Sequence, residues 1–259
     1  MSLHYSRRSV FAFTLCSSLY VAGCSLPSLP SASVQLGYVA TELGGDIALD
    51  SGGGSNEQGL SSAFGLGDTQ GSPYLRGQVR AGGPVFTGSV LYVQDSGDGQ
   101  IDGGFGSLDP NANVRSDFNM GLAKVSAAYE IALGPVSVSP GLMVDVWAFD
   151  FAAESTVAGI SEEIDELLVI PMPFVRAEAG LGDFAAVGEL GYVEIDGIGD
   201  TDGAFLDAEV MLEYYPVPFT SVFVGYRHVE IDGDGSSGDD AFSADLDLRG
   251  WMIGGGIRF

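Results

Sequence analysis

Beyond residue 24 the sequence contains no cysteine; its two cysteines are Cys16 and Cys24. That excludes a disulfide framework and a thiolate metal site from the body of the protein. Positive charge is nearly as scarce. After Arg8 there are one lysine, Lys124, and seven arginines, against 35 acids and a formal net charge of −25 for the whole chain. No basic patch exists to meet phosphates, so nucleic acid is excluded as a partner. Long apolar runs are missing too. No stretch after the first residues reaches about 18 uninterrupted apolar positions, so no spanning helix is expected. A phosphate loop, a dinucleotide fingerprint and a serine elbow are all absent, and no cofactor is expected.

What the chain does have is 39 glycines and a hydrophobic share of 46% beside that acidity. Charged residues are 17%, below the roughly 25% of soluble domains. Much apolar surface and much solvated acid must therefore be kept apart. The first residues read as an export signal spanning 1–23. "MSLHYSRR" is a basic start, and "SVFAFTLCSSLYVAGC" is an apolar stretch ending in small residues. Val21-Ala22-Gly23-Cys24 resembles the lipobox of bacterial lipoproteins, which implies cleavage before Cys24 and acylation of its thiol. The alternative is an ordinary signal peptide cleaved nearby, with Cys24 incidental. Residues 24–32 then form a short tether rich in serine and proline.

Residues 33–259 repeat one pattern, alternation with period two, the mark of strands with two different faces. In "PYLRGQVRAGG", Arg76, Gln78 and Arg80 oppose Leu75, Val79 and Ala81. In "DAEVMLEYY", Asp207, Glu209 and Glu213 oppose Ala208, Val210, Leu212 and Tyr214. Short turns at 82–84, 133–135, 181–183 and 216–218 alternate with long glycine- and aspartate-rich connectors near 50–71, 96–114, 152–165, 196–203 and 232–240. They separate ten strands, with eight or twelve as alternatives. The expected fold is all-β, a closed antiparallel up-and-down barrel. Lipid cannot satisfy a backbone, so spanning strands must close on themselves. Short turns on one side and long loops on the other are the habit of such barrels.

The last strand ends "WMIGGGIRF". Trp251, Ile253, Ile257 and Phe259 share one face; Met252, Gly254, Gly256 and Arg258 share the other. The terminal aromatic resembles the assembly signal of Gram-negative outer-membrane β-barrels, and the pattern of 33–259 resembles that family, small OmpA- and OmpX-type barrels in particular. The resemblance implies a place in the outer membrane, with its lipid and the barrel-assembly machinery as partners.

A charge facing mid-bilayer lipid costs roughly 2–4 kcal/mol, so mid-strand charges should face inward. Arg76, Arg80, Lys124, Glu130, Asp145, Arg176, Glu178, Glu189, Asp207, Glu209, Glu213, Arg227 and Arg258 fit that parity. The interior is therefore expected to be polar and salt-bridged rather than oily, stiffening the barrel more than forming a narrow conduit. Met143, Trp147, Phe149, Phe174, Met211 and Phe223 also have inward parity, and a wide pore is not expected. Outward Tyr129, Tyr214 and Phe259 should belt the short-turn rim, and Tyr92, Tyr192, Tyr226 and Trp251 the other rim.

Several features strain this scheme. Pro140, Pro171 and Pro173 fall in strands and suggest bulges or strand ends. Phe118, Met120 and Leu122 have the parity opposite to Val125 and Ala127, which suggests a bulge near 120–123. "ISEEIDELL" (160–168) could form a short helix. The acidic loops, such as "EIDGDGSSGDD", invite loose divalent cations, though solvated turns explain them as well. His228 stands near Glu230 and Asp232 on an outward face, and reads as a rim histidine before a general base. The function expected is structural or surface-interacting and not enzymatic. The rivals are a narrow solute channel, an outer-membrane hydrolase that uses His228 and rim acids, and a secreted soluble β protein.

Overall fold

A computed structural model describes residues 30–50, 57–157, 159–198, 201–237 and 240–259. The export signal, Cys24 and most of the tether lie outside the described residues. Ten long strands follow one another: β1 (Ser31–Asp50), β2 (Gln70–Arg80), β3 (Pro84–Gln100), β4 (Asn113–Tyr129), β5 (Val136–Ser155), β6 (Ser161–Leu181), β7 (Phe184–Ile198), β8 (Thr201–Val217), β9 (Thr220–Ser237) and β10 (Asp240–Arg258). Each pairs antiparallel with the next, and β10 closes on β1 from Ser33/Arg258 to Asp50/Ala241. The ring is a complete up-and-down barrel of ten strands. Two short ladder pieces, Gln58–Gly59 on β1 and Ile131–Leu133 on β5, are added to it.

The alternation read from the sequence sets the two faces. Leu36, Tyr38, Val125, Leu142, Val210, Trp251 and Ile253 point outward and are exposed. They form an apolar band around the cylinder, as a lipid-bathed wall requires. Tyr226 packs edge-on against Trp251 at its upper margin, with ring centroids 5.3 Å apart. Phe184 stacks on Tyr214 at the lower margin, at 4.8 Å. Above the upper tyrosines the outward positions turn polar: Glu42, Gln94, Asp117, Glu194 and Arg249 are exposed. The strands therefore outrun the membrane on the side opposite the chain ends.

The interior is more divided along its length than the polar, salt-bridged lumen expected. Its half nearest the chain ends is ionic. Its other half is an apolar core that includes Leu43, Ile47, Phe118, Met120, Trp147, Phe149 and Leu248. The reason is what bathes the outside. Within the band, lipid is as apolar as leucine, so an oily lumen gains nothing. Above the band, water bathes the outer wall, and burying apolar side chains in the lumen is favourable as in any soluble β protein.

That division removes two irregularities. Phe118, Met120 and Leu122 face inward on the same side as Lys124, and β4 keeps unbroken register with both β3 and β5. There is no bulge at 120–123; the parity marks the passage into the apolar half. Residues 161–168 belong to β6 and form no helix. Pro140, Pro171 and Pro173 sit within the continuous β5–β6 ladder, opposite Val175, Val144 and Leu142. They neither bulge nor end it. The connectors near 196–203 and 232–240 are largely strand, since β7 and β8 pair up to Ile198/Thr201 and β9 and β10 up to Ser237/Asp240.

Candidate functional site

Four cations and four acids meet at the centre of the ionic half. Arg76 on β2, Lys124 on β4, Arg176 on β6 and Arg227 on β9 face Asp145 on β5, Glu189 on β7, and Asp207 and Glu209 on β8. All eight are 4% exposed or less. In a ring of ten, β2 and β7 stand opposite each other, so the Arg76 side chain crosses the lumen. Its guanidinium pairs with both Glu189 and Glu209. Lys124 Nζ lies 3.3 Å from Glu189, 3.5 Å from Asp207 and 3.6 Å from Glu209. Arg176 Nη1 donates to Glu189 at 2.5 Å, and Arg227 Nη2 to Asp207 at 2.6 Å. The Tyr74 hydroxyl donates to Glu209 at 3.1 Å. Asp145 stands in register with Lys124, and neither of its oxygens accepts a hydrogen bond from the described residues.

Toward the chain ends the network opens into a mouth. Arg80 pairs with Glu178 and, at 3.0 Å, with Glu130; Arg176 also reaches Glu178, at 2.8 Å. Gln35 Nε2 donates to Glu213 at 3.0 Å. Arg258 is exposed at the rim, its guanidinium 5.7 Å from the centre of the Tyr215 ring. All of these but Glu130 line a polar recess of about 30 Å³, room for water only.

The opposite half is closed by residues 60–69, part of a stretch that the sequence alone reads as a solvated connector. A one-turn helix, α1 (Leu60–Phe64), enters above the short strand β2 and places Leu60, Ala63 and Phe64 in the core. The Phe64 ring meets Phe105 and Phe151 edge-on, at 5.2 and 4.9 Å. Gly65 ends the helix in the left-handed region, with φ at 69°. Gly97 and Gly99 of β3 let the backbones touch, since a Cβ at either would run into the carbonyls of Gly65 or Ala63. Asp95 fastens the segment by accepting from Gly67 N–H at 2.6 Å and from Gln70 Nε2 at 3.1 Å. The loop after β3 adds a cap of buried Ile101, Phe105 and Leu108. The missed signal was apolar content: "LSSAFGL" and the Ile101, Phe105, Leu108 set have no reason to sit in solvated turns.

The outer face of β9, β10 and β1 carries rows of acids. Asp245 stands directly opposite Asp232 on one side and Asp46 on the other, and Asp247 opposite Glu230. His228 Nδ1 lies 3.2 Å from Asp247 and Nε2 3.6 Å from Glu230; the Asp232 of the sequence reading is not among its partners. Among the described residues no group of three or more such side chains is placed to hold a metal ion. Partial burial, then the carboxylates of Asp232, Glu230, Asp46 and Asp247, hold the Asp245 carboxyl above its ordinary value. A carboxyl with a raised folded pKa binds its proton more tightly in the folded state. The barrel thus gains stability as pH falls through that raised value, and the gain is lost as pH rises. Asp245→Asn is expected to raise the thermal midpoint at neutral pH and to flatten its rise toward acid. An unchanged midpoint and an unchanged pH profile would refute the assignment.

No protein-family model matches the chain, and no curated protein matches it in sequence. The solved structures similar to it include OmpT, an outer-membrane protease of Escherichia coli, at 12% identity and a TM-score of 0.52, covering 90% of this chain and 97% of that one. Ail, the attachment invasion locus protein of Yersinia pestis, is similar at 14% identity and a TM-score of 0.37, covering 90% and 100%. Neisserial surface protein A is similar at 12% and 0.33, covering 89% and 97%. The fold is that of the Gram-negative outer-membrane β-barrels, and the apolar band is the physical reason such a barrel sits in a membrane.

Proposed function

We propose that the protein is an axially closed, non-enzymatic barrel that serves the outer membrane as a structural and surface-interaction element. The observation that carries this reading is the reach of Arg76 across the lumen to Glu189 and Glu209, with Lys124 beside it. A conduit needs a continuous wet path. Here the ionic layer is side chain to side chain, and α1 with its phenylalanine cluster fills the other half. The acidic outer rows present the surface on which interaction would occur, with divalent cations as loose counter-ions. A membrane-anchored version, acylated at Cys24, fits the geometry, because β1 begins at the rim of short turns.

The test is planar-bilayer recording with the purified full chain. The expected result is silence over a range of voltages, in the presence of protein shown by gel to be folded. Regular unitary steps that scale with protein concentration would replace this reading with the narrow channel.

A further inference from the structure

The wall is not stitched evenly. β5 and β6 pair over their whole lengths, from Val136/Ala179 to Glu154/Ser161, and β7 pairs with β8 up to Ile198/Thr201. Between β6 and β7 the ladder runs only from Leu181/Phe184 to Phe174/Gly191. Beyond that point β6 continues for residues 161–173 with no strand on this edge among the described residues. The first two alternate positions past the last pair are Pro173 and Pro171. Proline has no N–H to give a ladder, so the sequence itself keeps this edge from zipping.

An unpaired edge facing hydrocarbon is costly, and barrels close to avoid it. Here it starts beside Tyr192, at the upper margin of the apolar band, where outward Val169 and Leu167 are still apolar and 59% and 65% exposed. Its inner side is apolar as well. Leu168, Ile170 and Met172 of the loose edge face the lumen, Leu168 in register with the buried Trp147. A Cβ at Gly191, the last residue of β7 in register with β6, would collide with Met143 and Met172. Both methionines are buried in the lumen, at 1% and 2% exposure, and Met120 is buried one strand further, on β4, in register with Phe149. Such side chains repack around different shapes at little cost and recur on adaptable binding surfaces.

We propose that the gap between β6 and β7 is a side opening through which one aliphatic chain passes from the outer leaflet and inserts among Met143, Met172 and the core side chains beside Trp147, which repack around it. The chain belongs to a membrane lipid or to a free fatty acid. The opening lies in the wall and not along the axis, so it adds a ligand to the closed barrel and does not depend on silence in conductance.

The two tryptophans make the test direct. Trp147 is 2% exposed inside the lumen and Trp251 is 67% exposed on the outer wall. In Trp251→Phe, Trp147 is the only indole. Titrating dibrominated stearic acid into vesicles holding this variant is expected to remove most of the Trp147 emission and to saturate. Vesicles of dibrominated phosphatidylcholine without the free acid tell the sources apart: quenching there assigns a lipid chain, and its absence there assigns the free acid. Continuing the register would bring Pro171 opposite Glu194. A disulfide between Pro171→Cys and Glu194→Cys should therefore abolish the quenching, and reduction should restore it. Should that bridge not form, Pro171→Val with Pro173→Val supplies the missing donors and should weaken the quenching severalfold. Trp147 that is not quenched, or quenching that neither change reduces, overturns the proposal.

Discussion

Glu189→Ala is expected to cost the folded barrel about 3–5 kcal/mol, the usual penalty for removing one partner of a buried ionic cluster. The Glu189 side chain is 1% exposed and serves Arg76, Arg176 and Lys124 together. Without it, three cations inside a lipid-bathed wall share the remaining acids, and no solvent is at hand to take up the imbalance. Urea unfolding in vesicles, followed by gel mobility before and after boiling, measures the loss. Glu189→Gln keeps the volume and removes the charge, so it should cost nearly as much; a mild effect there would mean that packing, not charge, is what Glu189 supplies. The exposed pair Arg115–Asp98, 3.3 Å apart with side chains 68% and 73% exposed, is the reference: Arg115→Ala should cost less than about 1 kcal/mol. A Glu189→Ala effect as small as that would sink the account of the ionic layer.

The cluster is also expected to behave as a unit. Glu209 takes Arg76, Lys124 and the Tyr74 hydroxyl, so Glu189 and Glu209 share two cations. Their single changes should not add, because the second removal acts on cations already short of partners. Replacing a cation together with an acid should be milder than the acid change alone, since charge balance is kept.

Much of this fold was legible because the period-two alternation is forced by the wall. Each outward position must suit lipid or water, and each mid-strand charge must turn in. Arg76, Lys124, Glu189, Asp207, Glu209 and Arg227 could be assigned to the lumen from parity alone. Which acid meets which cation could not, because pairing across the ring depends on shear and register between distant strands. The apolar upper lumen is hard to read for a different reason. Parity gives the inward face along the whole strand, but it does not show that the solvent outside changes from lipid to water partway up. Phe118, Met120 and Leu122 then looked like a register fault when they were the start of a core. The segment around α1 was hidden by its glycines, which read as flexibility. Gly97 and Gly99 in fact permit close backbone contact, and Gly65 turns the chain out of the helix. The prolines stand out in the sequence, but their meaning depends on the pairing. Only the ladder shows that Pro171 and Pro173 stand where β6 loses β7.

Phe64→Ala should destabilise the outer half by about 3–5 kcal/mol, as large-to-small changes in packed cores do. Phe64 is fully buried and holds both Phe105, from the loop after β3, and Phe151, from β5. Its loss leaves a void that the surrounding strands cannot collapse to fill, because their ladders fix the ring diameter. The ionic layer below should be untouched, so the damage should be local. Hydrogen exchange is expected to rise across Leu60–Phe64 and in the loop after β3 while β7 and β8 stay protected. If exchange instead rises throughout the barrel, the two halves are a single cooperative unit. Conductance offers the sharper distinction. With Arg76, Lys124 and Glu189 still spanning the lumen, Phe64→Ala should remain silent in a planar bilayer. Steps that appear in this variant alone would place the axial seal in the helix and its aromatic neighbours, and leave the ionic layer as a wet filter beneath it.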